Sequence, residues 1–510
     1  MNKKLLFALL GLILIAIVAF IIFFLNRSGN SNYRNAIPAN AQLVAAVDIA
    51  SIVDKSGLGD KKYIDKLKQE LGGIVPEETL NQATSYIQQA EKTGIDFRQK
   101  IYVFTTPDQC VCLLAKVADK SMLNKLITDL AKDGTCDKPT EKDGTVWTKI
   151  LGEMPAAFND DALIAMMPTD GFNNPKVAIK EMLEQDQKNS FFATDKAKTF
   201  DKAEGDITFS ASLAALPKNL LGTYSSLLPK GVRPSEVETT ISLAFLDGKI
   251  SLKQELSSQN DKLKALLEET NSNTKKIKGL YLDKSSDKSW FWASAGINGE
   301  WLLTQLKKAD QFKQQLFLAE RAIDIEKMIK SIDGDLMISL QLPNGMQLDN
   351  MPYLVAGKTK DQDFLKDVDY WTTSMREYGL TMTPSGDKQY KLVAEDMTFF
   401  WGTRPDDLYF TSSPELVQPT LNGPGSQKLK ELKDEILNSK LYVFVDFQQM
   451  AQSGTPNEWM FKLIASMVDS YSLSLTEAEK MEITVRTPNK EENVLRTIIG
   501  SLAQSVRMLM

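Results

Sequence analysis

The sequence predicts an α+β fold: two related tandem units of antiparallel sheet with helices packed on one face, preceded by one transmembrane helix. Three observations carry that prediction. One uncharged apolar run opens the chain, similar blocks recur in the same order in both halves, and within each half apolar hairpins alternate with amphipathic helices.

The amino terminus, MNKKLLFALLGLILIAIVAFIIFFLNRSGN, has Lys3 and Lys4 and then no charge from Leu5 to Leu25. At about 1.5 Å per residue a run of that length covers a hydrocarbon core of roughly 30 Å. A cleaved signal peptide would have a shorter apolar region of about 7 to 15 residues and a small-x-small site. Phe23-Phe24-Leu25-Asn26-Arg27 offers neither that site nor a lipid-modifiable cysteine. The reading is a cytoplasmic tip at 1–4, a signal anchor at 5–25 and a flexible Asn- and Ser-rich tether at 26–36. The carboxy-terminal part is then expected in the periplasm, on a single pass through the inner membrane.

Self-similarity follows. Cys112 to Leu126 aligns without gaps on Leu354 to Val368, an offset of 242, so Lys116, Asp119 and Leu123 recur as Lys358, Asp361 and Leu365. Gly94-Ile-Asp-Phe97 recurs as Ala322-Ile-Asp-Ile325. KILGEMPAAFNDDALIAMMP recurs as KLVAEDMTFFWGTRPDDLYFTSSP, and the run from Ile241 recurs from Ser472. The expected organisation is a first unit at 37–272, a linker at 273–288, where Asn, Ser, Lys and Asp interrupt apolar periodicity, and a second unit at 289–510.

In order along the first unit, AQLVAAVDIASIVDKSG is a strand turning directly into a helix. IYVF and VCLLAKV form a hairpin about Thr106-Pro107-Asp108-Gln109. A helix capped by Asp119 carries Met122, Leu123, Leu126, Ile127 and Leu130 on one face and stops at Gly134. In the second copy Phe364, Leu365 and Val368 repeat that face and Gly379 repeats the stop. VWTKIL, PAAF and ALIAMM are strands, the last two joined at Asn159-Asp160-Asp161. Each half closes with a strand entering a helix, a hairpin and a final helix.

The opening motif IPANAQLVAAVDIASIVDKSGL and the later GIDF before a strand resemble the Bacteroides-type cell-envelope proteins grouped as domain-of-unknown-function family 4836. The resemblance covers nearly all of the chain after residue 35. It implies an envelope location and no known activity, and it brings no functional residues with it. The lack of a lipobox cysteine separates this chain from lipoprotein-anchored relatives.

Composition excludes much chemistry. With 60 Lys+Arg against 66 Asp+Glu the net charge is -6, leaving no basic excess for a nucleic acid. The histidine count is 0, which removes Ser-His-Asp and Cys-His catalysis, the HExxH zinc site and the two-His-one-carboxylate iron site. No P-loop, GxGxxG or GxSxG appears. The pairs Asp160-Asp161 and Asp406-Asp407 could share a proton or hold a cation, yet Asn159 and Pro405 beside them are turn residues. Ser285-x-x-Lys288 and Ser385-x-x-Lys388 lie in polar turn sequences. Cys110 and Cys112 correspond to Pro352 and Leu354, so a small buried apolar role is expected for Cys112, a disulfide from Cys136 to Cys110 or Cys112 stays open in an oxidising compartment, and no catalytic, metal or cofactor residues are assigned. Trp290 and Trp292 would share a strand face and, with Trp301, form the candidate surface for an envelope protein, peptide or glycan. The expected role is non-catalytic binding or scaffolding in the cell envelope. The alternative is an envelope hydrolase using a carboxylate pair.

Overall fold

In the computed structural model the apolar runs of both copies become strands. The described residues are 32–71, 90–215, 228–309, 312–313, 316, 320, 323–342, 351–394, 397–413, 416, 426–452 and 458–508. They fall into two units: one runs through Asn260 and resumes at Asn489, and the other is Asp261–Pro488.

The first unit contains β1 (Leu43–Val47), β2 (Ile101–Thr105), β3 (Val111–Lys116), β4 (Thr140–Lys142), β5 (Thr145–Ile150), β6 (Met154–Phe158), β7 (Ala162–Met167), β8 (Ile207–Ser212), β9 (Val237–Leu246) and β10 (Lys249–Ser258). They pair antiparallel in the order β4-β5-β6-β7-β3-β2-β1-β8-β9-β10. The second contains β11 (Ser289–Asn298), β12 (Ile332–Gln341), β13 (Tyr353–Thr359), β14 (Leu380–Gly386), β15 (Gln389–Ala394), β16 (Met397–Arg404), β17 (Asp407–Thr411), β18 (Leu441–Asp446), β19 (Ser470–Glu477) and β20 (Lys480–Arg486). Their order is β14-β15-β16-β17-β13-β12-β11-β18-β19-β20. The two orders are the same, strand for strand, apart from the two-residue strand Thr274–Lys275, which also pairs with β11. Register agrees in detail: Cys112 lies between Phe104 and Met166, and Leu354 lies between Ser339 and Thr411.

The helices are α1 (Ile49–Ser56), α2 (Lys61–Leu71), α3 (Lys120–Lys132), α4 (Pro175–Leu183), α5 (Asp195–Lys202), α6 (Asp261–Asn273), α7 (Gly299–Lys308), α8 (Ile325–Lys330), α9 (Val368–Glu377), α10 (Gln427–Glu431), α11 (Lys433–Asn438), α12 (Phe447–Met450), α13 (Glu458–Met467) and α14 (Val494–Met508). Asp48, Asp119 and Asn298 cap α1, α3 and α7 through side-chain oxygens that accept backbone N–H bonds. Gly134, at φ 73, stops α3 in the left-handed conformation that costs glycine little.

Helices cover both faces of each sheet, where one face was expected. On β3, Cys112 and Leu114 point into a core with Ile179 and Met182 of α4 and Phe200 of α5. Leu113 and Ala115 meet Ile49 and Val53 of α1. In the second unit Tyr409 packs with Leu429 and Ile436, and its neighbour Leu408 packs with Phe364, Val368 and Trp371. The reason is in the strands: VCLLAK and DLYFT carry apolar residues at both alternations, so either face left bare would expose them.

The leading transmembrane helix is also corrected. Among the described residues no helix is long and apolar enough to cross a membrane. The longest, α14, has 15 residues and so spans only about 22 Å, and it carries Arg496 and Arg507. The run expected to cross, 5–25, lies outside the described residues. The boundaries differ as well: 261–272, expected in the first unit, fall in the second, and 489–510, expected in the second, fall in the first. Asn32–Ala36, read as tether, is a 3₁₀ turn that buries Tyr33 and Ala36. Ile277, Tyr281 and Leu282, read as linker, sit in the second unit's core.

Candidate interaction surface

The tryptophans are separated by a bulge. Ser289 pairs with Gln341 and Phe291 with Leu340, so Trp290 is an extra residue that breaks the alternation of β11. Trp292 is 1 % exposed, packs with Tyr442 and Phe444, and donates its indole N–H to Ser285 Oγ at 2.8 Å. Trp290 is half-buried against Phe291, with ring centroids 5.9 Å apart, and its indole N–H has no acceptor among the described residues. Trp301 lies on α7 and donates to Glu269 Oε1 at 3.0 Å. The face expected from these three side chains therefore does not form: Trp292 is core, and Trp301 is engaged by the chain's own α6.

The carboxylate pairs are structural. Asp160 and Asp161 occupy the β6–β7 turn, where Asn159 Oδ1 accepts the backbone N–H groups of Asp161 and Ala162 at 2.8 Å each. Asp161 forms an ion pair with Lys116. Asp406 is exposed, whereas the buried Asp407 accepts from Arg404 Nε at 2.8 Å. Buried Asp206 accepts from Lys55 Nζ at 2.7 Å, Ser51 Oγ at 2.6 Å and Phe245 N at 2.7 Å, a full set of donors for a desolvated charge. Among the described residues no group of three or more Cys, Asp or Glu side chains could hold a metal ion. Ser285, in the first Ser-x-x-Lys, donates to Tyr281 O while accepting from Trp292, so its hydroxyl is committed to the core.

All three cysteines are free and buried. Cys110 and Cys112 belong to one core, and Cys136 packs in another with Leu123 and Val146. Burial pushes the Cys112 thiol up to about 12 and raises that of Cys136. Neither is a nucleophile near neutrality.

Sequence reasoning missed a surface on α13, EWMFKLIASM. Met460, Leu463 and Met467 are 38 %, 55 % and 56 % exposed, and their spacings of three and four place them on one helix face. Ala465 is buried on the inner side, and its carbonyl accepts from Gln448 Nε2 at 2.7 Å on α12. The signal was available: the polar residues Glu458, Lys462 and Ser466 fall every four residues along a single stripe. The remaining circumference is apolar, wider than one packing contact covers. A contiguous outward apolar stripe on a folded unit marks a contact surface.

A family model described as Domain of unknown function (DUF4836) matches residues 33–452. No curated protein matches this chain. Among solved structures, crystal form IV of TP0453 is 8% identical over 44% of this chain and 81% of its own, with a TM-score of 0.27. Crystal form III of TP0453 is 8% identical over 48% and 88%, also at 0.27. At that level the likeness carries no argument.

Proposed function

This chain belongs to the DUF4836 family, and from that premise we propose that it is a non-catalytic binding or scaffolding protein of the cell envelope. The observation that carries the binding role is the outward stripe Met460, Leu463 and Met467 on α13. Apolar area is worth about 25 cal/mol per Å² when removed from water, and methionine adapts its shape to an irregular partner. The partner is a protein with an apolar contact surface. Export of the folded part to the periplasmic side is supported by Lys3 and Lys4 followed by the apolar run Leu5–Leu25 and by the resemblance to Bacteroides-type envelope proteins. No second reading gains support, because the carboxylates that a hydrolase would need lie in turns and ion pairs.

The test places a photo-crosslinking amino acid at Leu463 in the full chain, expressed in its native cell, with an exposed control at Lys188. A discrete protein adduct at 463, absent at 188 and lost when Met460 and Met467 are changed to glutamate, is the expected result. Identical patterns at both positions would overturn the proposal. Protease added to spheroplasts is expected to digest the folded units.

A further inference from the structure

The two copies close alike, β9–β10–α6 in the first and β19–β20–α14 in the second, yet neither closing helix stays with the copy that encodes it. Helix α6 belongs to the second unit and α14 to the first. In the second unit Glu269 of α6 accepts from Trp301 Nε1 on α7, and Asn271 Oδ1 accepts the N–H of Ala478 in the β19–β20 turn at 2.8 Å. In the first unit α14 is seated against α1 and α2. The Arg496 guanidinium lies 4.4 Å from the centre of the Tyr63 ring, and Tyr63 OH donates to Arg496 O at 3.0 Å. Asn493 Nδ2 donates to Phe245 O at 3.1 Å, beside the β9–β10 turn. Gly57, at φ 73, ends α1, and a Cβ there would meet Arg496 Cδ at 3.1 Å. The seat is therefore shaped for the arginine as well as for the apolar side of the helix. In each unit the helix that follows the first strand, α1 or α7, is flanked by a helix from the other copy.

We propose that the α1–α2 face is a helix-accepting seat and that α14 is an exchangeable element, so that a second copy of this chain is the partner whose α14 fits it. Exchange of an identical element keeps every contact of the seat and costs little beyond the opening step. Residues 487–493 connect α14 to β20, and among the described residues no strand follows it, so its release leaves the strand order of both sheets intact. Local opening of such a peripheral element lies below global unfolding in free energy.

The test is hydrogen exchange by mass spectrometry on the intact chain, with and without an excess of a synthetic peptide of residues 489–508. Amides of 49–71 and 494–501 are expected to open in one step while β1, β2, β3 and β8 remain protected. The peptide is expected to slow exchange across 49–71 at least three-fold, and an Arg496→Glu peptide to have no effect. Concentrated chain carried briefly through a urea concentration that opens α14 is expected to yield a dimer by light scattering, and a chain ending at Pro488 is not. Exchange of α14 only together with the sheet, no effect of the peptide, or equal dimerisation of the shortened chain would each overturn the proposal.

Discussion

Replacing Cys112 by leucine tests whether the Cys-x-Cys pair is packing or chemistry. Cys112 is 0 % exposed and lies between Phe104 and Met166 on its two neighbouring strands, both also 0 % exposed. Its counterpart Leu354 lies between Ser339 and Thr411. The small side chain therefore sits between large ones in one copy, and the large one between small ones in the other. Cross-strand neighbours on one face pack directly, so leucine at 112 overfills the first core. The expected cost is about 1–3 kcal/mol, the usual range for overpacking. Adding Met166→Thr, which copies the second unit's pair, should recover part of that loss, since contacting residues couple by about 0.5–3 kcal/mol. The assay is the opening free energy of the β3 amides by hydrogen exchange, where each 1.4 kcal/mol appears as about ten-fold faster exchange. A single variant as stable as the parent, or a double variant worse than the single, would refute the volume argument. Stoichiometric zinc binding lost on Cys112→Ser would refute it more directly.

Further outcomes can be measured on the same protein. Alkaline stability should fall: the Cys112 thiol goes from an ordinary value near 9 to about 12, and Tyr102 and Tyr442 from about 10 to about 12, all by burial. The unfolded chain loses these protons first, so the stabilisation is full below about pH 9 and is lost as pH rises through about 12, as a denaturation series across that window would show. Thiol reagents should label the cysteines only after unfolding. Arg404→Met should destabilise the second unit by about 3–5 kcal/mol because it leaves the buried Asp407 carboxylate unpaired, while Asp160→Asn should stay within about 0.5 kcal/mol in the same thermal-melt series. Trp301→Phe should speed hydrogen exchange in α6 and leave β11 unchanged, because only the bond to Glu269 is removed.

What was legible in the sequence follows from periodicity and turn chemistry. The hairpin at Thr106 to Cys110, the cap at Asp119, the stop at Gly134 and the leucine-like position of Cys112 are local signals, and the structure places each as read. Where a signal depends on long-range context it was lost. Two-sided burial of β3 needs knowledge of what covers its second face. The bulge at Trp290 is a mismatch with β12 that β11 alone does not encode. Met122, counted on the buried face of α3, is 44 % exposed, because the inward stripe centres on Leu123 and Ile127.

The reciprocal seating of α6 and α14 shows why a duplicated sequence underdetermines its own fold. Two copies with the same strand order offer two related seats and two closing helices, and an apolar stripe that suits one seat is chemically acceptable to the other. The pattern along the chain cannot decide between them. Specific contacts do: Tyr63 reaches Arg496 across 433 positions, whereas Trp301 reaches Glu269 across only 32. The near contact can form as soon as α7 follows α6 in the chain, but the distant one closes a loop of more than 430 residues and carries its entropic cost. The first unit therefore completes last, through a helix held by an arginine, an aromatic ring and a glycine rather than by strand pairing, and this is the joint expected to open first.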